Sequence, residues 1–485
     1  MRMAPVQAIL VRCGGRLGAL VHIALAAPAL AGAGVWQRTE AAGALAHAAG
    51  TRTYGPACQW RQPGNQCQAH SGHDARIPEI ACTMRLLHVI PSIDPAGGGP
   101  IEGIRQLRQP LRERGAEIDV CCGDAPDAPF VRASEMNVVA LGPTPTKYGF
   151  NPRMLAWLRA HAADYDAVLV EGLWQFHALA TCLALRGSEV PYFVYTHGML
   201  DPWFRERYPL KHVKKSLYWL LGEYWVLRGA RAVLFTCEEE QRRSRNAFWP
   251  YRCRELVAGY GTAQPPTAAV PLREAFFTAF PALRGKRIVL FLGRIHEKKG
   301  CDLLVEAFAG VAGADPRLQL VLAGPVEAAL RERLVRQAER LGLAQRLSWT
   351  GMLSGDLKWG AYHAAEVFAL PSHQENFGVA VAEALGCGVP VLISDKVNIW
   401  REIVADGAGL AGADSAEGTG ACLRQWLQAD PGAQARMRAQ AQACFQRRFE
   451  VRQSAQRLLE ILSERPVPAP AADAAATSAT PGGTP

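Results

Sequence analysis

From Met84 onward, short apolar runs alternate with stretches whose apolar residues recur at helical spacing. The runs lie at 86–90, 118–121, 138–141, 167–170, 192–195 and 232–235, and then at 287–292, 318–322, 347–349, 367–370 and 389–393. Most are dominated by apolar residues with no sustained polar alternation, Asp119, Gln319 and Ser348 being polar interruptions. That pattern belongs to strands buried on both faces, as in a parallel sheet covered by helices. Strands alternating with helices predict an α/β protein, and such sheets place ligands in the crevice at the carboxyl ends of their strands. The Pro- and Ala-rich stretch 261–271 (GTAQPPTAAVP) divides the runs into two sets, hence two Rossmann-like domains.

The most informative stretch is 364–395, AAEVFALPSHQENFGVAVAEALGCGVPVLISD. A strand closed by Pro371 leads into the loop 372–376, and Val379, Val381, Ala382 and Leu385 follow at helical spacing. Gly386, Gly388 and Pro390 end that helix before the next strand. Asn376 is the predicted N-cap, leaving the N–H groups of Phe377, Gly378 and Val379 as unpaired donors suited to phosphate. Gly378 lacks a Cβ where a ligand could approach the backbone. Glu375 and Glu383 flank this helix start. Carboxylates accept hydrogen bonds, so both suit sugar hydroxyls. The stretch predicts a grip on a sugar, a phosphate and a ribose.

Other strand ends carry chemistry of the same kind. The run 287–292 leads into Gly293-Arg294-Ile295-His296-Glu297-Lys298-Lys299-Gly300, whose Arg294 and Lys299 fit two cations facing a diphosphate. Gly97-Gly98-Gly99-Pro100 follows the first strand, with Pro100 in the first turn of a helix. No alignment of 97–103 satisfies the dinucleotide fingerprint G-x-G-x-x-G. His197-Gly198 closes the run 192–195 at the same carboxyl edge.

Two acids separated by seven residues, with Pro-Ser before and Gly-Val-Pro-Val after, resemble the E-x7-E signature of glycosyltransferase family 4. The resemblance covers about residues 84–465 and is more specific in the second half. It implies the GT-B fold, in which two Rossmann-like domains face a cleft, and transfer of a sugar with retention, without a metal or other cofactor. The donor implied is a UDP- or GDP-sugar. The resemblance places Arg294 and Lys299 on the donor diphosphate, Glu375 on the sugar, and Glu383 on the ribose. It places Gly98, Gly99 and Gly293 against the phosphates, His197 in the cleft, and Met352 and Leu353 beside the base. HGMLDPW looks like bacterial surface-polysaccharide enzymes, which implies a saccharide or lipid-linked acceptor and a cytoplasmic protein, peripheral on the inner membrane face. A sugar-nucleotide epimerase on the same fold and a catalytically silent sugar-nucleotide-binding protein are the alternatives.

Domain bounds follow: an extension at 1–83, an acceptor domain at 84–270, a nucleotide-sugar domain at 271–430, helices crossing back at 431–465, and a Pro/Ala-rich disordered tail at 466–485. Residues 1–83 show no strand-like runs, and Met84 stands where relatives usually begin, so they read as an over-extended start. The apolar run 17–30 behind Arg2, Arg12 and Arg16 matches a secretory signal in outline and is too short to span a bilayer. Thirteen scattered cysteines with no C-x-x-C predict reduced, buried thiols. The net charge of +9 suits anionic ligands or an anionic membrane, and no nucleic-acid motif accompanies it. Residues 203–254 concentrate it, with twelve Lys/Arg against five Glu. There Lys211, Lys214 and Lys215 share a helix with Leu217, Trp219 and Trp225. The competing expectations are a core-packing helix with a solvated basic face and a surface lying on anionic lipid.

Overall fold

The computed structural model describes residues 84–203, 205 and 209–464, together with the strand pair β1 (Ile9–Cys13) and β2 (Arg16–Leu20). The chain divides into two units, Met1–Ile77 and Pro78–Pro485. In the first, β1 and β2 pair antiparallel, with Ile9 opposite Leu20 and Cys13 opposite Arg16. This overturns the expectation that nothing before residue 84 forms a strand. The remainder of the signal-like run and the tail at 466–485 lie outside the described residues.

The second unit holds two parallel sheets. The first comprises β3 (Met84–Ile90), β4 (Ala116–Cys122), β5 (Asn137–Ala140), β6 (Ala167–Glu171), β7 (Tyr192–Tyr195), β8 (Ala232–Phe235) and β9 (Glu255–Val257), in the order β5-β4-β3-β6-β7-β8-β9. The second comprises β10 (Arg287–Leu292), β11 (Leu318–Ala323), β12 (Leu347–Gly351), β13 (Ala365–Leu370), β14 (Val391–Ser394) and β15 (Gly409–Gly412), in the order β12-β11-β10-β13-β14-β15. In each sheet the strand order reverses once, between β3 and β6 and between β10 and β13. Crossovers leave those points in opposite directions, so the following loops part and open a crevice.

The central strands are buried on both faces, as continuous apolar runs require: β6 and β11 have every residue buried. The edge strands β9 and β15 were not expected. Glu255-Leu256-Val257 is short, and Gly409–Gly412 is half glycine, so neither carries an apolar run. Each pairs with one neighbour only, β8 and β14 respectively, and register along that neighbour substitutes for intrinsic propensity. Strand β14 starts at Val391 and not at Val389, whose N–H bonds back to the carbonyl of Ala384 at 2.9 Å and closes the preceding helix.

The helix Val451–Ser463 places Val451, Ala455, Leu458 and Ile461 along one face, and all four join the core beneath the first sheet. The chain passes so close that a Cβ on Gly261 would stand 2.7 Å from Cα of Val451, which explains a glycine there. The nine cysteines between residues 84 and 464 are all unpaired, and six are buried. Burial pushes the Cys121 thiol up to about 12.

Candidate active site

At the second sheet's reversal, the loops after β10 and β13 lie side by side. Gly293 leaves β10 at φ 148°, with open space where its Cβ would stand. Arg294 follows, exposed and without a hydrogen bond or ion pair among the described residues. The short turn Glu297–Lys299 ends at Gly300 in the left-handed region (φ 66°), and a Cβ there would meet the carbonyl oxygen of Pro371 at 2.1 Å. Only glycine lets the two loops approach this closely. Their contact is sealed by His373 N–H donating to the carbonyl of Lys298 at 2.9 Å, and Lys299 forms an ion pair with Glu375. Glu375 is fixed from behind: its N–H donates to the Lys396 carbonyl (3.0 Å), and its carbonyl accepts from Asn398 N–H (3.0 Å).

The helix start departs from expectation. The helix is Val379–Gly386, and its cap is Gly378 at φ 78°, not Asn376. The Asn376 side chain is engaged elsewhere. It donates to Thr236 Oγ1 across to the first sheet (3.1 Å) and accepts from Asn398 (3.3 Å). A backbone turning through positive φ needs glycine, and that requirement outweighs asparagine's preference for the cap. The N–H groups of Phe377, Gly378 and Val379 nevertheless have no protein acceptor among the described residues. The Phe377 ring is buried between Tyr260 and Phe449, so only its backbone faces outward.

Glu383 is buried (7 % exposed) and already held: Lys358 Nζ donates to one oxygen at 2.8 Å and Tyr362 Oη to the other at 2.9 Å. Burial, then the negative carboxylate, keeps the Tyr362 hydroxyl protonated. Each carboxylate oxygen retains a second lone pair for a hydroxyl. The Leu353 side chain lies in the second core, so only its backbone is open to a ligand, whereas Met352 is exposed.

In the first sheet, Gly98 caps the helix Gly99–Arg112, and the Gly99 carbonyl accepts from Tyr260 Oη at 2.7 Å. His197 sits at the end of β7 with φ 47°, a strained value for a residue with a side chain. Its Nε2 lies 2.6 Å from Glu171 Oε2, and His88 Nδ1 lies 2.7 Å from Oε1 of the same carboxylate. Burial alone would raise the Glu171 carboxyl, but the hydrogen bonds and charges of His197 and His88 outweigh it and hold it at about 2. A carboxylate only accepts, so both facing nitrogens carry protons, and Nδ1 of His197 is left on the outer side of its ring. A second buried carboxylate, Glu240, fixes the same turn, accepting from Thr196 Oγ1 and Gly198 N–H, each at 2.6 Å. Its other oxygen accepts from the N–H and Oγ1 of Thr236, both at 2.7 Å. Gly198 faces Asn376, whose side chain lies 2.8 Å from where a Cβ would stand. The two crevices therefore face one another through His197-Gly198, Thr236 and Asn376.

Glu171, His88, Glu240, Lys358, Tyr362 and Asn398 are site residues the sequence did not single out. The Glu at the end of the run 167–170 was the available signal for Glu171, since it stands at a strand end beside the order reversal. Among the described residues no group of three or more His, Cys, Asp or Glu is placed to hold a metal ion.

Comparison with known proteins adds to this geometry. A family model described as glycosyl transferases group 1 matches residues 273–443, and one described as a glycosyl transferase 4-like domain matches residues 98–259. The D-inositol 3-phosphate glycosyltransferase of Kineococcus radiotolerans is 28% identical over 240 residues, covering 46% of this chain and 54% of that protein. The mannosylfructose-phosphate synthase of Agrobacterium fabrum is 31% identical over 123 residues, 24% of this chain and 27% of that protein. The chain thus spans from about a quarter to about half the length of these relatives. Among solved structures, Anabaena HepE in complex with UDP and glucose superimposes with a TM-score of 0.62 at 19% identity, over 79% of this chain and all of that one. Sucrose-phosphate synthase from Thermosynechococcus elongatus gives 0.62 at 21%, over 78% of this chain and 98% of that one. At such identities the likeness concerns the fold.

Proposed function

The chain belongs to glycosyltransferase family 4, with the GT-B fold, and from that premise we propose that it moves a hexose-type sugar, with retention, from a UDP- or GDP-sugar to a saccharide acceptor. The observation that carries this reading is the convergence of Arg294, Lys299, Glu375 and three unpaired N–H groups at one strand-order reversal. In the reaction, the bond from the anomeric carbon to the diphosphate oxygen breaks, and the acceptor hydroxyl bonds to that carbon on the same face. The hydroxyl's proton passes to the leaving phosphate oxygen. Charge grows on the diphosphate along this path, and Arg294, Lys299 and the N–H groups of Phe377–Val379 are placed to stabilise it without a metal ion. Lys299 is held against Glu375 in the structure, so the arriving diphosphate competes for the lysine and frees Glu375 toward the sugar. Glu383 holds the ribose, and His197, fixed by Glu171, meets a hydroxyl through Nδ1.

The finer reading is a lipid-linked acceptor at the cytoplasmic membrane face, in bacterial surface-polysaccharide synthesis. A second reading, a small phosphorylated polyol or sugar as acceptor, is favoured by the names of the curated relatives. A binding screen of nucleotide sugars, followed by incubation of the bound donor with membrane lipid extract or with inositol and hexose phosphates, tests both. A sugar transferred to the lipid fraction supports the first, and transfer to a water-soluble phosphate replaces it with the second. Donor consumed without any acceptor, or bound and never consumed, removes the transferase reading.

A further inference from the structure

The helix Pro209–Tyr218 and its continuation through Trp219–Glu223 into Tyr224–Gly229 bury Trp219, Val226 and Leu227 on one side and carry a second apolar row that faces outward. Leu210 is 87% exposed and Val213 68%, and Leu217, Leu220, Leu221 and Trp225 are exposed beside them. Spaced by three and four residues, they form a stripe along one side, about 22 Å long at the rise of an α-helix. The ten residues Pro209–Tyr218 bury none of their number. Lys215 points inward instead, its ammonium 4.4 Å above the Trp174 ring, and burial lowers its pKa. This corrects its expected place on the basic surface, whereas Trp219, Val226 and Leu227 of the continuing helix pack into the core of the first sheet, as the core-packing expectation had it. A helix at a protein surface normally buries its apolar stripe, and a contiguous exposed one marks a contact with something apolar.

Charge indicates what covers it. Lys211, Lys214 and Arg228 are exposed around the stripe, while Glu223, the one acid within 209–229, is buried. Beside the helix an open hollow of about 1060 Å³ is lined by Arg205, His212, Tyr224, Trp249 and Arg252, with Trp249 projecting into solvent. A second copy laid on this stripe would bring Lys211, Lys214 and Arg228 of both copies together, with no exposed acid of 209–229 between them. An anionic bilayer offers hydrocarbon to the leucines, an interface to Trp225 and Trp249, and phosphates to the cations.

We propose that this face docks on an anionic membrane, with the stripe inserted at the headgroup–acyl boundary and not merely attracted by charge. The proposal rests on the lipid-linked reading of the acceptor for its biological purpose, and its test reads attachment without using activity. The full chain is co-sedimented with phosphatidylcholine vesicles, with and without phosphatidylglycerol. We expect binding to the anionic vesicles that weakens but persists near 1 M salt, where the Debye length is about 3 Å. The paired change Leu217→Ser and Leu221→Ser should lower the partition by about tenfold or more at every salt concentration. Lys211→Glu with Lys214→Glu should abolish the anionic preference. Both pairs are solvent-exposed, and unchanged thermal unfolding shows that the variants fold. No binding at low salt, binding indifferent to the leucine pair, or a wild-type dimer that the leucine pair dissolves would each overturn the proposal. Nucleotide-sugar binding measured on the same samples separates the two readings: its absence removes the transferase reading and leaves docking standing, and the converse holds equally.

Discussion

The two strand-order reversals carry opposite kinds of polar cluster. At the second, the groups come from two contiguous segments, 293–299 and 375–383, and Arg294 is exposed and unpaired among the described residues. At the first, Glu171 and Glu240 are buried and fully engaged, and Glu171 meets His88 from 83 residues away. A ligand that comes and goes is met first by groups that water can also reach, such as Arg294 on its loop. Glu383, buried and held by Lys358 and Tyr362, is the exception at this crevice. Groups that only orient another side chain are best buried, where a charge-assisted hydrogen bond is strong and fixed. On the proposed function, the second crevice grips and the first positions.

The largest effect is expected at Glu171. Glu171→Ala removes one partner of a buried charged cluster and should cost about 3–5 kcal/mol of stability in chemical denaturation. Glu171→Gln keeps the shape but cannot accept from both rings in the same way. It should fold, keep its donor KM, and lose kcat by about tenfold to a hundredfold. The wild-type pH profile sharpens the assignment. The folded carboxyl lies at about 2 against an ordinary 4.5, so its contribution is complete above pH 4.5 and is lost as pH falls from there towards 2. Glu171→Gln should flatten stability in that window. An unchanged profile would mean that the cluster holds no charge.

Next come the gripping residues. Arg294→Ala and Lys299→Ala should each raise the barrier to turnover by about 3–4 kcal/mol, a hundredfold or more in rate, with smaller changes in donor KM. Glu375→Ala should fall between these and Glu383→Ala, since the role proposed for Glu375 is both to hold and to orient the sugar. For Glu383→Ala the proposed ribose contact would be the same throughout the reaction, so the loss should appear in KM by about tenfold, with kcat nearly preserved. Steady-state kinetics on the four variants checks the ordering, and a kcat loss confined to Glu383→Ala would reverse the roles.

The smallest effect is expected at Glu223, beneath the outward-facing helix. Burial outweighs the Trp174 N–H and the charge of Lys215 and raises its carboxyl to about 7. An acid with a raised folded value favours the folded state below pH 4.5, and this advantage is lost as pH rises through 7. Glu223→Gln should therefore stabilise the protein by about 1–2 kcal/mol at pH 8 and leave it nearly unchanged at pH 4.5. Thermal unfolding at the two pH values decides it.

The same division explains what was legible in the sequence. Arg294, Lys299, Glu375 and Glu383 stand in short segments whose order carries the meaning, and the strands before them are continuous apolar runs. The carboxylates at 171 and 240 acquire their roles only when β3, β6, β7 and β8 lie side by side, a juxtaposition no local pattern encodes. Asn376 was misassigned for a related reason: its cap preference is local, while its partners Thr236 and Asn398 are not. Lys215 likewise looked like one of three surface lysines until the fold placed Trp174 beneath it.

One titration tests the central claim, that the loops after β10 and β13 grip a diphosphate as it becomes a leaving group. A free nucleoside diphosphate carries the charge that develops on bond breaking, whereas the intact nucleotide sugar does not. Calorimetric titration of each into the wild type and into the Arg294→Ala/Lys299→Ala double variant separates them. The account predicts that the double substitution weakens the diphosphate at least about tenfold more than the nucleotide sugar. Equal losses for both ligands, or no loss for either, would contradict it.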